Sequence, residues 1–319
     1  MKEPQDSSDL VLFDKQDGIA YLTINRPKAL NALNEGVVNQ LEEKFNAAET
    51  DAEVKAIVVR GAGGKAFVAG ADIKYFIENI KTNRIPYTIA FTIRGHELLR
   101  RIETCQKITV AVLDGLSLGG GSELAFSFQA IVATPAGSMG FPETAIGLYP
   151  GLGGMLRCAR QIGTRLAKYY TFTGRTLSAQ DAYDLGIVTK LVEPADLEKT
   201  IKEVCAGPAP DKYRKREIPL RFKEMADVCS PDNVKLLLAG KKPIGVTDEF
   251  AEKTLKTLAK KAPLALKVAN ELIDAQEKVS IDEAMNLELS RLAEIFATED
   301  ALTGLSSFGG KEAPKYQGR

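Results

Sequence analysis

The chain predicts an α/β fold in which most strands are buried on both faces. Three observations carry this. Short, continuous apolar runs recur along the chain. Between them lie stretches with apolar residues at three- and four-residue spacing. Glycine-rich turns join one to the next. Strands that alternate with helices in this way argue for an α/β architecture. The unit of strand, glycine turn and helix could stack as a spiral or lie as an open sheet, and periodicity leaves both open.

The elements follow in order. Residues 11–13 and 19–24 flank Asp17-Gly18, a hairpin turn signal. Arg26-Pro27 ends the second strand. Residues 35–49 carry Val38, Leu41 and Phe45 at helical spacing, with Asn34 as the N-cap. Residues 56–59, 108–113 and 130–133 are unbroken apolar runs, the type of strand covered on both faces. Residues 86–102 predict a long helix, and a helix is expected to start near Ser122. Residues 177–182 open another helix, and 188–192 form a short strand. After about Pro194 the character changes. Residues 206–247 are rich in Lys, Arg and Pro and read as an insertion of helix and loop. Helices are expected over 251–261 and 281–297, the second introduced by Ser280. The division expected is a core over 1–197, an insertion over 198–250 and a helical region over 251–319.

Composition limits the function classes. With 45% hydrophobic and 26% charged residues, the 319-residue chain can build a sizeable soluble core. Lys+Arg and Asp+Glu balance at 42 each, which supplies neither a basic stripe for nucleic acid nor an acidic tail. Cys105, Cys158, Cys205 and Cys229 form no C-x-x-C, and His96 is the single histidine. Neither a disulfide framework nor a zinc site is expected, and a reducing cytoplasm suits the thiols. Residues 1–8 read as a short disordered lead and not as a targeting peptide. No apolar run reaches the ~18 residues a membrane span needs.

Two glutamates twenty residues apart stand out. Glu123 closes Leu118-Gly119-Gly120-Gly121-Ser122-Glu123. Glu143 sits between Gly140-Phe141-Pro142 and Thr144-Ala145-Ile146-Gly147. Acids in apolar surroundings are costly to bury and need a purpose. Two carboxyls brought together can divide acid and base work. Free N–H groups at a helix start can hold an oxyanion, which suggests enolate chemistry beside a carbonyl.

Other features read as structural. Gly61-Ala62-Gly63-Gly64-Lys65-Ala66 matches G-x-G-x-x-A, but a dinucleotide fingerprint needs a helix there. The chain continues Phe67-Val68-Ala69-Gly70-Ala71, which is no helix. Asp72 suits a helix N-terminus. His96 reads as structural or surface. Ser122 has no histidine near it for a hydrolase triad.

Taken together these segments resemble the enoyl-CoA hydratase (crotonase) family. The blocks are Ile24-Asn25-Arg26-Pro27-Lys28-Ala29-Leu30-Asn31-Ala32-Leu33, Phe67–Lys74, the Gly119–Glu123 loop and Phe141–Gly154. The resemblance covers about 9–197 and resumes from about 260. It implies a crotonase-like spiral of ββα repeats and a C-terminal helical region that builds homotrimers or dimers of trimers. It implies a coenzyme A thioester as substrate, with no metal or redox cofactor. The thioester oxygen would be held by the N–H groups of Ala71 and Gly120. Glu143 would protonate the α-carbon, and Glu123 would position and activate water. Lys28, Ala29, Leu30, Ala69 and Ile73 match the positions along coenzyme A. Phe308 and Lys311 match a C-terminal F-x-x-K element that reaches it.

Within that family the site must decide the chemistry. An isomerase usually needs one of the two acids. The 3-hydroxyisobutyryl-CoA hydrolases are similar around Pro142–Leu148, but lack the first glutamate and carry aspartate where this chain has Gly151. Both differences favour a hydratase that adds water to a 2-enoyl-CoA. A non-catalytic binding protein on the same scaffold is the competing class, and the intact acid pair speaks against it. The insertion departs from simple hydratases. It is closer to the hydratase portion of fused 3-hydroxyacyl-CoA dehydrogenase proteins, so a dehydrogenase is a possible partner.

Overall fold

The computed structural model describes residues 9–214, 216–310 and 312–319. The expected N-terminal lead and Lys311 lie outside the described residues. The chain opens with the hairpin β1 (Val11–Gln16) and β2 (Ile19–Ile24), turned by Asp17 and Gly18, both at positive φ. α1 (Glu35–Thr50) follows, and the Asn34 side chain accepts from Val37 N–H as its cap. Next come β3 (Ala56–Gly61), β4 (Ala66–Ala69), α2 (Ile73–Lys81) and α3 (Ile85–Thr104). Then β5 (Ile108–Leu113), β6 (Leu116–Leu118) and α4 (Gly120–Ser127) run to β7 (Ala130–Ala133) and β8 (Ser138–Gly140).

This order resolves the choice between open sheet and spiral. One sheet has the order β1-β2-β3-β5-β7, and the second contains β4-β6-β8. Each of β3, β5 and β7 lies in the first sheet, and the strand that follows it crosses to the second. Pairing is parallel throughout both runs after the β1–β2 hairpin. A helix then returns the chain, so the repeat is ββα. Alternate residues face opposite cores. Leu22, Ile57, Val59, Ala111 and Ile131 join the main core. Tyr21, Val58, Val110 and Val132 join a smaller one on the other face. Both faces are covered, which is why these strands read as unbroken apolar runs.

α5 (Gly154–Ile162) and α6 (Thr164–Thr173) lead to β9 (Leu177–Ser178), α7 (Ala179–Asp184) and β10 (Lys190–Leu191). The helix expected from residue 177 starts later, because Leu177 and Ser178 pair with β8 and Ser178 caps the helix. The strand expected over 188–192 is only β10, added in parallel beside β7. α8 (Leu197–Ala206) lies over the smaller core, where its Ile201 is buried.

The stretch 206–247 holds α9 (Lys223–Asp227) and α10 (Pro231–Leu238). Two of its side chains reach into the main body. Lys212 Nζ lies 2.9 Å from Glu103, and the Tyr213 hydroxyl donates to the same carboxylate at 2.5 Å. Arg157, fully buried, meets Glu103 at 2.9 Å. Burial pushes the Glu103 carboxyl up, but Arg157 and Lys212 outweigh it and hold it at about 2.

α11 (Asp248–Leu258), α12 (Pro263–Gln276), α13 (Ile281–Ser290), α14 (Leu292–Phe296) and α15 (Glu299–Ser307) complete the chain. Ser280 and Glu283 form a reciprocal capping box at α13. The helix expected over 281–297 is broken at Arg291. Its side chain pairs with Glu294 and Glu271, and the bend turns α14 toward the site.

Candidate active site

The site forms where α4 leaves the second sheet. Gly119 precedes that helix at φ +52°, a conformation glycine adopts without strain. A Cβ there would stand 2.7 Å from Glu143 Oε1. At Gly121 a Cβ would stand 1.9 Å from the Val68 carbonyl oxygen, so α4 docks on β4 only through a bare backbone. Ser122 Oγ donates to the Ser117 carbonyl and accepts from Gly140 N–H at 3.0 Å. It ties α4 to both neighbouring strands and acts as a structural hydroxyl.

The opposite side of the helix start is built by residues 24–33. Asn31, wholly buried, adopts positive φ. Its amide donates to the carbonyls of Ala62 and Ala66 and its oxygen accepts from Arg26 N–H. Arg26 reaches the Ala32 carbonyl and Asp72. Asp72 caps α2, as its sequence position suggests. Leu33 N–H donates to Gly70 and Asp72 N–H donates to Leu33, which places Ala71 beside Gly120. Among the described residues, neither the Ala71 N–H nor the Gly120 N–H donates to a protein acceptor.

Glu123 and Glu143 line one cavity of about 210 Å³ together with Ala71 and Gly120. Ala69, Ile73 and Phe308 also line it. Lys28, Ala29 and Leu30 stand apart on an exposed 3-10 turn, joined to the site by the bond from Ala69 N–H to the Leu30 carbonyl. Lys311 lies outside the described residues. Among the described residues, none from 206–247 lines it. One wall is apolar: Phe76 packs 6.2 Å from Phe91 and 5.5 Å from Phe296, ring centre to ring centre.

Both acids are buried. Glu123 Oε1 accepts from Leu152 N–H at 2.7 Å and Gly154 N–H at 2.9 Å. Its Oε2 has no protein partner among the described residues. Burial, then the nearby charges of Glu143 and Glu288, push the Glu123 carboxyl well above the usual range, against the pull of the two amides. Burial pushes Glu143 up to about 8; its own backbone N–H and Lys261 oppose this, and Glu288 adds to it. Glu143 Oε2 is buried with no hydrogen-bond partner among the described residues. A buried polar atom left unpaired costs about 1–3 kcal/mol, an expense typical of a working site. Protonated, Glu143 can give a proton into the cavity. Two aimed N–H groups can hold a developing oxyanion.

Sequence reasoning missed two residues behind this cavity. Glu288 on α13 is wholly buried and contacts His96 at 3.3 Å. His96, read as structural or surface, is buried and meets the Gly151 carbonyl at 2.8 Å. A signal for Glu288 was present: it shares a helical stripe with Ala284 and Leu292, both buried. Among the described residues no three His, Cys, Asp or Glu side chains gather as a metal-ion site, and no helix is long and apolar enough to cross a membrane.

The spiral and its helical C-terminal region are those of crotonase-fold proteins. An enoyl-CoA hydratase from Rhodobacter sphaeroides 2.4.1 superposes with a TM-score of 0.83 at 25% identity, covering 98% of this chain and 93% of that one. A family model described as enoyl-CoA hydratase/isomerase matches residues 19–317. The chain belongs to the enoyl-CoA hydratase/isomerase family. It is 31% identical to a short-chain-enoyl-CoA hydratase of Clostridium acetobutylicum, over 93% of this chain and 94% of the relative. It is also 32% identical to a mitochondrial 3-hydroxyisobutyryl-CoA hydrolase of Xenopus laevis, over 87% of this chain and 76% of the relative.

Proposed function

We infer that this chain is an enoyl-CoA hydratase, adding water reversibly to a 2-enoyl-CoA to give a 3-hydroxyacyl-CoA. One observation carries the reading: two buried carboxyls and two unengaged backbone N–H groups face the same small cavity. The Ala71 and Gly120 amides hold the thioester oxygen. With Glu143 protonated its repulsion of Glu123 is gone, and the Leu152 and Gly154 amides favour the carboxylate form. Glu123, fixed through Oε1, then uses Oε2 to take a proton from water as the water oxygen bonds to the β-carbon. The double-bond electrons move toward the thioester, whose oxygen gains negative charge. Glu143, protonated at neutral pH, then gives its proton to the α-carbon. Losing one of the two amide donors costs on the order of 3 kcal/mol in such sites.

The rest of the reading follows the same line. Ala69 and Ile73 border the acyl-pantetheine path, and Lys28, Ala29 and Leu30 meet the nucleotide end. Phe308, 64% exposed at the rim, reaches bound coenzyme A, and Lys311 belongs to the same F-x-x-K element. The aromatic wall and the small volume suit a short acyl chain. The chain works without metal or redox cofactor, as a homotrimer or dimer of trimers in the cytoplasm. A 3-hydroxyacyl-CoA dehydrogenase would consume the product.

The hydrolase relative supports a second reading, release of free coenzyme A from a 3-hydroxyacyl-CoA. Gly151 counts against it, because glycine offers no carboxylate at the position where those hydrolases carry aspartate. The test is absorbance of the enoyl-thioester band with crotonyl-CoA, coupled to product mass. Loss of the band with gain of one water supports the hydratase. An unchanged band, with free coenzyme A released from 3-hydroxyacyl-CoA, replaces it with the hydrolase.

A further inference from the structure

Behind the 151–154 loop stands a layer of buried polar side chains that the reaction above does not use. α13 buries one stripe, and Glu288 is its charged member, with no exposed surface. A carboxylate so placed needs partners. Its Oε1 accepts from Gly153 N–H at 2.5 Å and its Oε2 from Gln276 Nε2 at 3.1 Å. Its backbone carbonyl accepts from the Tyr149 hydroxyl at 2.7 Å. His96 Nε2 stands 3.3 Å from Oε1 and 2.8 Å from the Gly151 carbonyl. A carbonyl can only accept, so Nε2 carries the proton.

Three successive amides then alternate. Those of Leu152 and Gly154 donate to Glu123, and that of Gly153 donates to Glu288. One short piece of backbone is strung between two buried carboxyl groups. Arg157 grips it from α5 through the carbonyls of Leu152 and Gly153. We propose that Glu288 is a positioning residue for Glu123: held by His96 and Gln276, it fixes the 151–154 loop so that the 152 and 154 amides clamp the Glu123 carboxyl. The inference rests on the hydratase reading of the site.

The arrangement is costly as mere packing. Glu288 stands close enough to Glu123 and Glu143 for its charge to push both carboxyls up. An apolar side chain on this stripe would spare the fold that repulsion. The groups facing Glu288 are His96 on α3, Tyr149 and the Gly153 amide in the loop, Gln276 on α12, and Glu123 and Glu143 across the loop. Arg157 faces the loop from α5. A positioning role therefore leaves a kinetic mark besides stability. Removing the charge lets Glu143 lose its proton at lower pH, so the alkaline limb of hydration moves down.

The experiment uses the full chain with crotonyl-CoA and compares wild type, Glu288→Gln and Glu288→Ala. Glutamine keeps an acceptor for Gly153 N–H and drops the charge. The expected result for Glu288→Gln is a near-wild-type KM with the alkaline limb of kcat displaced to lower pH. Glu288→Ala should lower kcat by about 10- to 100-fold with KM little changed, as misplacement of a reacting group does. Glutamine should recover most of that loss. Wild-type kcat in Glu288→Ala, or a kcat in Glu288→Gln as low as that of Glu288→Ala, overturns the proposal. Should the alanine variant not fold, Glu288→Met, which fills the same space without an acceptor, takes its place, and wild-type kcat in it overturns the proposal. A wild-type chain that hydrates nothing sinks the hydratase reading and leaves this comparison without its reaction, so the two failures are distinct.

Discussion

Glu143→Gln should remove most turnover and, above neutral pH, stabilise the fold. Glutamine matches the shape of the acid but carries no transferable proton, and general acid catalysis contributes about 10²–10⁴-fold. The stability effect follows from burial. The folded carboxyl titrates at about 8 in place of an ordinary 4.5. Its folded value lies above its unfolded one, so the native state binds the proton more tightly. That contribution is complete below about pH 4.5 and is lost as pH rises through about 8. Each unit is worth about 1.4 kcal/mol, so the wild type loses on the order of 5 kcal/mol across the window from 4.5 to about 8. Glutamine has no such slope. Urea unfolding at pH 5, 7 and 9 measures it, and the variant should gain on the wild type up to about pH 8 and hold that gain at pH 9. Parallel stability curves for the two proteins would refute the reasoning, because Glu143 would then not be held protonated by its surroundings.

Gly120→Pro deletes one amide of the oxyanion pair and should abolish crotonyl-CoA hydration while circular dichroism stays native, since proline suits a first helical position. A folded, fully active proline variant would remove Gly120 from the site. Gly119→Ala places a Cβ 2.7 Å from Glu143 Oε1 at a backbone angle that strains L-residues, so it should lower stability by about 1–3 kcal/mol and displace the acid. Unchanged kcat in that variant would contradict the geometry. Phe296→Leu opens the aromatic wall and should raise kcat/KM for longer enoyl-CoA substrates relative to crotonyl-CoA by on the order of tenfold; an unaltered ratio would take Phe296 out of chain-length selection.

Much of the framework was legible because its signals are local. Asn34 and Ser280 cap their helices, Asp17-Gly18 turns the hairpin, and buried strands show as unbroken apolar runs. The two acids were legible for a related reason: a charge among glycines and large apolar residues is anomalous wherever the chain goes. What escaped depends on partners far apart in the chain. The stripe with Ala284 and Leu292 marks Glu288 as facing inward, but its partners appear only when α13 is laid against the 151–154 loop. His96 becomes a buried donor only when Gly151 reaches it. At the break, Arg291 pairs with Glu271 on another helix, and no proline or glycine announces it. The division of strands between two sheets follows from crossovers that a period-two pattern cannot record.

The cavity wall is drawn from both ends of the described chain, from Ala69 to Phe308, with α14 supplying Leu292, Ile295 and Phe296. Contacts so distant in sequence must overcome loop-closure entropy before they contribute anything. The site therefore assembles late in folding. A ribosome that has delivered Glu123 and Glu143 has delivered both acids in an apolar trough still open on one side. Until α14 docks, that trough is an adhesive surface, and chaperone dependence of this chain should concentrate in that interval.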